Sequence, residues 1–202
     1  MRVAVLSFHP ALGLARRWRP LDQTDRTISA IELAMLVVLG VGSAVASSAV
    51  RLGLGIPGHN ILRVVLPLAL GLALVPRLGS ASIMNLSAVA GGGGLWLAGA
   101  RGMGVGAMTS LGLTGFLMDL ALIGARSGRS IYVRLALAGL ASNVLAFLAK
   151  AGSKLYYGVA GGERPLASWL PEAAVTYTVC GILAGLIGAA ACFRFSSGRR
   201  SA

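Results

Sequence analysis

The chain has 202 residues, is 56% hydrophobic and only 12% charged, and has a mean hydropathy of +0.80. A water-soluble domain carries about 25% charged residues, so the polar surface that would cover a soluble globule is missing and an integral membrane protein is the expectation. The net charge of +12, from 18 basic and 6 acidic residues, sits mostly between apolar runs, as topology signals do. No basic face carries stacking aromatics, so nucleic acid is not an expected partner.

The chain opens on "MRVAVLSFHPALGLARRWRP", an apolar run interrupted by His9 and Pro10 and followed by Arg16, Arg17 and Arg19. This pattern reads as an uncleaved cytosolic or interfacial leader over residues 1–29 rather than a signal peptide. A surface-lying amphipathic anchor is a second option for it. Six apolar segments follow, at 30–50, 60–76, 80–99, 103–124, 131–150 and 174–193, each near the roughly 20 residues that a bilayer core requires. The short alternating segments of a barrel are absent, and lipid then leaves helices, because each backbone amide must be satisfied locally. The expected fold is all-α: a bundle of six transmembrane helices over residues 30–195, then a basic cytosolic tail over 196–202.

The first segment pairs small residues four apart: Ala30 with Ala34, Gly40 with Ala44, Gly42 with Ala46. Such faces let helix backbones approach closely in lipid, within the chain or against another subunit. It also carries Glu32. The connector "RLGLGIPGHN" brings His59 and Asn60 to the start of the second segment, with Arg63 one helical turn beyond His59 and on its face. The third segment contains "AGGGGLW", residues 90–96. Four glycines weaken a helix by about 1 kcal/mol each relative to alanine, which suggests a kink, an unwound stretch facing a cavity, or a very close crossing. No GxxxxGK[ST] pattern accompanies them, so this is not a phosphate loop.

The fourth segment holds Asp119 on a face with Met108, Gly112 and Gly115. Its readings are an ion pair with Arg77 or Arg126, or a contact to a partner subunit. In the fifth segment Ala136, Gly139, Asn143, Ala146 and Lys150 form one stripe. Either this stripe is the wall of a cavity, or Asn143 makes one interhelical hydrogen bond and Lys150 snorkels. A connector of 23 residues with Tyr156, Tyr157 and Trp169 precedes the last segment and suits a membrane interface. That last segment carries Gly181, Gly185 and Gly188. Its Cys180 and Cys192 stand too far apart on one helix to bridge and read as small apolar filler.

With six spans both termini share a side. That side would hold 12 of the Lys and Arg residues and the other side 6, which puts both termini in the cytosol and the "GIPGHN" turn outside. No enzyme constellation appears: no HExxH, no paired aspartate and no Ser–His–Asp candidate on one face. The sequence therefore reads as a non-enzyme without metal or cofactor.

"AIELA" in the first helix, the glycine-rich connector "RLGLGIPGHN" and "GLASNVLAFL" in the fifth, within six helices and about 200 residues, resemble the substrate-binding S-components of energy-coupling factor (ECF) transporters. The resemblance implies a vitamin or small-molecule uptake subunit of a bacterial cytoplasmic membrane. Its partners would be a transmembrane coupling subunit and ABC-type ATPases. It implies that Ala30 and Ala34 face the coupling subunit, and that His59, Asn60 and Arg63 stand at the mouth of a substrate site whose opposite wall is Asn143 and Lys150. Asp119 joins the expected partner contacts. Cobalt- and nickel-specific relatives place a histidine near a processed N-terminus; His9 follows a longer leader, so no metal substrate is implied. Positive charge at Arg63, Arg101 and Lys150 favours a neutral or anionic solute over a cation. The rival readings are a non-catalytic membrane subunit or assembly anchor that packs against partner helices, and a small self-contained transporter or channel acting as an oligomer.

Overall fold

In a computed structural model, which describes residues 7–15, 28–49, 57–99, 104–126, 128–158 and 165–194, the first long helix begins on a capping box. The Ser29 N–H donates to Glu32 Oε2 at 2.8 Å and the Glu32 N–H to Ser29 Oγ at 3.1 Å, so two of the orphan amides of the helix start are satisfied reciprocally. The helices in chain order are α1 (Pro10–Ala15), α2 (Ala30–Ala49), α3 (Ile61–Leu74), α4 (Ser80–Leu97), α5 (Val105–Leu122), α6 (Gly128–Tyr157) and α7 (Leu166–Cys192). Among the described residues the only β-pairing is one isolated antiparallel bridge, Phe8 with Arg77. The protein is all-helical, and α2, α5, α6 and α7 are long and apolar enough to cross a membrane. Within the leader, only residues 7–15, 28 and 29 are described; the rest of it, the tail 196–202, and Arg51, Arg101 and Arg164 lie outside the described residues.

Three helices differ in their bounds from the sequence expectation. Helix α6 has 30 residues and runs on past Lys150, and α7 starts at Leu166 rather than 174. Nothing in "AGSKLYY" breaks a helix, and Pro165 occupies the N-cap of α7, where a missing N–H is tolerated. The expected interfacial connector is thus largely helix, and Trp169 and Glu172 belong to α7. Helix α3 is shorter than expected: its 14 residues span about 21 Å, less than the roughly 30 Å of a hydrocarbon core.

The packing explains why α3 can be short. Helices α2, α4, α5, α6 and α7 follow one another around a ring, and α3 closes it between α7 and α2 while leaning inward onto α4 and α5. Ile61, Val64, Val65, Leu68 and Leu72 of α3 are all buried. A helix held along one face by these four neighbours depends less on matching the thickness of the lipid.

Close approaches at glycine hold the ring together. A Cβ on Gly40 would strike the Met84 carbonyl of α4, one on Gly115 the Ala81 carbonyl, and one on Gly139 the Gly181 carbonyl of α7. The run Gly91–Gly94 is helical throughout. Of the three expectations for it, close crossing applies at Gly91, where a Cβ would sit 3.3 Å from Val41, while Gly93 and Gly94 meet open space.

Successive helices alternate in direction. The starts of α2, α4 and α6 and the ends of α3, α5 and α7 form one end of the bundle, marked by Arg77; the other is marked by Arg63. Residues 7–15 close the Arg77 end. The His9 N–H donates to the Pro76 carbonyl at 2.8 Å, the Leu78 N–H to the Ser7 carbonyl at 3.0 Å, and His9 Nε2 meets the Leu122 carbonyl at 2.9 Å. Leu12 is completely buried in the main core.

Candidate functional site

At the Arg77 end the arginine is matched from within the chain, while Asp119 Oδ1 and the Ser80 hydroxyl are buried without hydrogen-bond partners. Arg77 is 2% exposed and its Nε donates to Glu32 Oε1 at 3.3 Å. Arg77 is therefore paired with Glu32 and not with Asp119, for which the sequence suggested it. Asp119 instead accepts the Ser82 N–H at 2.7 Å and the Ser82 hydroxyl at 2.6 Å, which places a carboxylate in the first turn of α4, where the helix dipole favours it. Arg134 donates to the carbonyls of Ala121 and Ile123 at the end of α5, at 2.5 and 2.6 Å, complementing the orphan acceptors there. Asp119, expected at a partner contact, is buried with its carboxylate turned to α4.

A polar layer crosses the middle of the bundle. Asn85 donates from Nδ2 to the Gly112 carbonyl at 2.6 Å and accepts the Gly115 N–H at 2.9 Å. Thr114 and Ser142 share a hydroxyl contact of 2.6 Å. Each polar group here is satisfied by a neighbouring helix, the arrangement expected of structural hydrogen bonds in lipid.

At the Arg63 end the candidate residues fall into two groups. The turn 57–60 leads directly into α3, with the Leu62 N–H donating to the His59 carbonyl at 3.3 Å and the Arg63 N–H to the Asn60 carbonyl at 3.1 Å. His59 therefore lies in the turn, half-buried, and Asn60 is the exposed N-cap, with no side-chain cap bond. Gly58 has φ +84°, and a Cβ there would sit 2.9 Å from Tyr177; both the backbone and the space demand glycine. Asn143 donates its amide to the Gly58 carbonyl at 3.2 Å and to the Tyr177 carbonyl at 2.6 Å. The α6 stripe through Gly139 and Asn143 is thus the seam to α7, and it staples the 57–60 turn in place. Lys150 continues that seam, its Nζ 5.6 Å from the Trp169 ring centre, beside Lys154 at 5.1 Å. Trp169 in turn stacks on Phe147 at 5.8 Å, and Phe147 meets Tyr177 at 5.7 Å.

Arg63 faces the other way, towards α2. Its Nη1 reaches the Ser47 carbonyl at 3.5 Å, its Nε is buried without a hydrogen-bond partner, and none of the described residues forms an ion pair with it. Ser43 and Ser47 stand one turn apart on α2, continuing the inward face of Leu36 and Gly40, and the buried hydroxyls of both also lack partners. These serines were hidden in the sequence among small residues; the usable signal was their spacing of four on the face already carrying Leu36 and Gly40. On the opposite side of α2, Ala30, Ala34 and Gly42 are exposed. Comparison with protein-family models, with curated proteins and with solved structures finds no match.

Proposed function

We propose that this chain is the membrane-embedded, substrate-binding subunit of an ECF-type uptake transporter for a vitamin or similar small molecule. On this reading it spans a bacterial cytoplasmic membrane six times, with both termini in the cytosol and the Arg63 end outside. One observation carries the reading: the two ends of the bundle are unequal. Buried polar atoms without partners occur at both ends: Ser80 Oγ and Asp119 Oδ1 near Arg77, and Arg63 Nε with the hydroxyls of Ser43 and Ser47 towards the other. But the Arg77 end is closed by residues 7–15 and its arginine is paired with Glu32, whereas Arg63 has no carboxylate among the described residues. Donors buried without partners cost folding free energy, and an incoming solute is what recovers it. Ala30 and Ala34, exposed on the lipid-facing side of α2, supply a surface on which a coupling subunit can dock closely.

That same exposed surface favours a second reading, a non-catalytic anchor that holds partner helices and binds no solute. Mild-detergent purification from native membranes separates the two. The transporter reading expects a coupling membrane protein and ABC-type ATPases in the complex, and loss of solute uptake on replacing Arg63 and Lys150 by alanine. A complex without ATPases, or uptake untouched by both replacements, overturns it.

A further inference from the structure

Hydroxyls in membrane helices normally donate back to a carbonyl one turn earlier. This chain follows the habit at Ser87, Thr109, Thr114 and Thr178, whose hydroxyls lie 2.6–2.9 Å from the carbonyls of Ile83, Val105, Ser110 and Ala174. Ser43 and Ser47 do not, although Ser43 is completely buried. Their neighbour on the same helix, Ser48, does so at 3.0 Å, so the local backbone of α2 permits the bond. Across the seam, the Arg63 Nε–H is also buried without an acceptor, and the guanidinium has no carboxylate among the described residues. Two hydroxyls one turn apart on α2 and, on α3 beside the Ser47 carbonyl, one guanidinium N–H therefore lack partners.

The geometry points to an oxyanion site at this junction: the carboxylate or phosphate group of a ligand, held by Arg63 Nε and the hydroxyls of Ser43 and Ser47. The inference rests on the reading that the Arg63 end receives a solute, and it names that solute's chemical class. The Arg63 Nε–H demands an acceptor, the hydroxyls can donate to the same group, and a negative charge on it balances Arg63. The two serines are about 6 Å apart along the helix, a span that two oxygens of one carboxylate or phosphate bridge with ordinary hydrogen bonds of about 2.7 Å. The wider field agrees: Arg63, Lys150 and Lys154 stand at this end against a single described carboxylate, Glu172. A cation or a ligand without acceptors could be bound by the hydroxyls but would leave the Arg63 Nε–H unmet and its charge unbalanced.

The test uses the whole purified chain in phosphatidylcholine nanodiscs, with thermal unfolding followed in acetate, in inorganic phosphate, and in chloride at equal ionic strength. Acetate or phosphate at about ten times its dissociation constant is expected to raise the midpoint by about 3–5 °C over chloride. The rise should disappear in Arg63→Gln and in the double variant Ser43→Ala, Ser47→Ala, and persist in Arg126→Gln, an exposed arginine at the opposite end. No rise in the unaltered chain, or an equal rise in Arg63→Gln, overturns the site. A parallel series in phosphatidylglycerol discs identifies the source. An Arg63-dependent rise produced by that lipid alone assigns the oxyanion to a headgroup; one produced by the added anions in phosphatidylcholine assigns it to a solute. Mass spectrometry of molecules extracted with the protein keeps the two levels apart. A neutral or cationic solute retained equally by Arg63→Gln sinks the anionic class but leaves the transporter reading intact. An Arg63-dependent anion effect in a chain that copurifies with no ATPase does the reverse.

Discussion

Arg77 and Arg63 are both arginines held in helix seams of one bundle, and they are treated in opposite ways. Arg77, at the end of α3, is almost wholly buried and donates to Glu32, which is itself fixed by the Ser29 capping box. Arg63, at the start of the same helix, is half-buried and has one long contact to a carbonyl and no carboxylate among the described residues. A charge removed from water needs a partner or its cost is not recovered. The described residues supply that partner to Arg77 and none to Arg63. Arg77 thus serves stability, and on the proposed reading Arg63 is the arginine left for a ligand to balance.

The sharpest way to break this contrast is to unpair Arg77. Glu32→Ala leaves a buried guanidinium without its carboxylate and removes half of the capping box. The expected loss is about 3–5 kcal/mol, seen as a fall of about 10 °C or more in the unfolding midpoint of the purified protein. A fall of under about 3 °C would show that the pair is not a keystone of that end. Next in size is Leu12→Ala. Leu12 sits fully buried in the main core although it belongs to the N-terminal segment, so truncation should cost about 2–4 kcal/mol. A neutral result by the same measurement would mean that residues 7–15 do not close the bundle in solution.

The sequence made the helices legible and the roles of their polar residues much less so. Six apolar runs predicted α2 to α7 because lipid permits few alternatives. The ends were less clear at α6 and α7, where Lys150, Lys154 and Glu172 suggested a connector but the backbone stays helical. Charge marks where a helix leaves lipid, not where it stops. Asn143 was recognisable as a mid-membrane polar residue, yet its partners, Gly58 and Tyr177, are 85 and 34 residues away, and no local pattern announces a contact of that range. Ser43 and Ser47 escaped notice for another reason: a serine whose hydroxyl bonds back to its own helix and one whose hydroxyl does not look identical in a sequence.

Asp119 gives a smaller test on the stable side. Its carboxylate serves the first turn of α4 through Ser82, so Asp119→Ala should cost about 1–2 kcal/mol, the usual worth of a side chain that caps and charges a helix start. A midpoint lowered by about 3–6 °C fits that role. If the midpoint held while association with partner subunits failed, Asp119 would belong to a docking surface instead.

The smallest expected change in stability is also the most informative. Arg63→Gln removes a charge that none of the described residues balances, and it keeps a long polar side chain able to reach the Ser47 carbonyl. Its folding cost should stay within about 0.5 kcal/mol, the range of substitutions that break no satisfied contact, and loss of an unpaired cation from the seam offsets even that. Measured beside Glu32→Ala without added anions, it should leave the midpoint within about 2 °C of the unaltered chain. A fall as large as that of Glu32→Ala would mean that Arg63 is already neutralised inside the fold, and the inequality between the two ends would vanish. If the midpoint is unmoved while the response to anions is lost, the two arginines are separated by what each is for: Arg77 holds the bundle together, and Arg63 waits for a ligand.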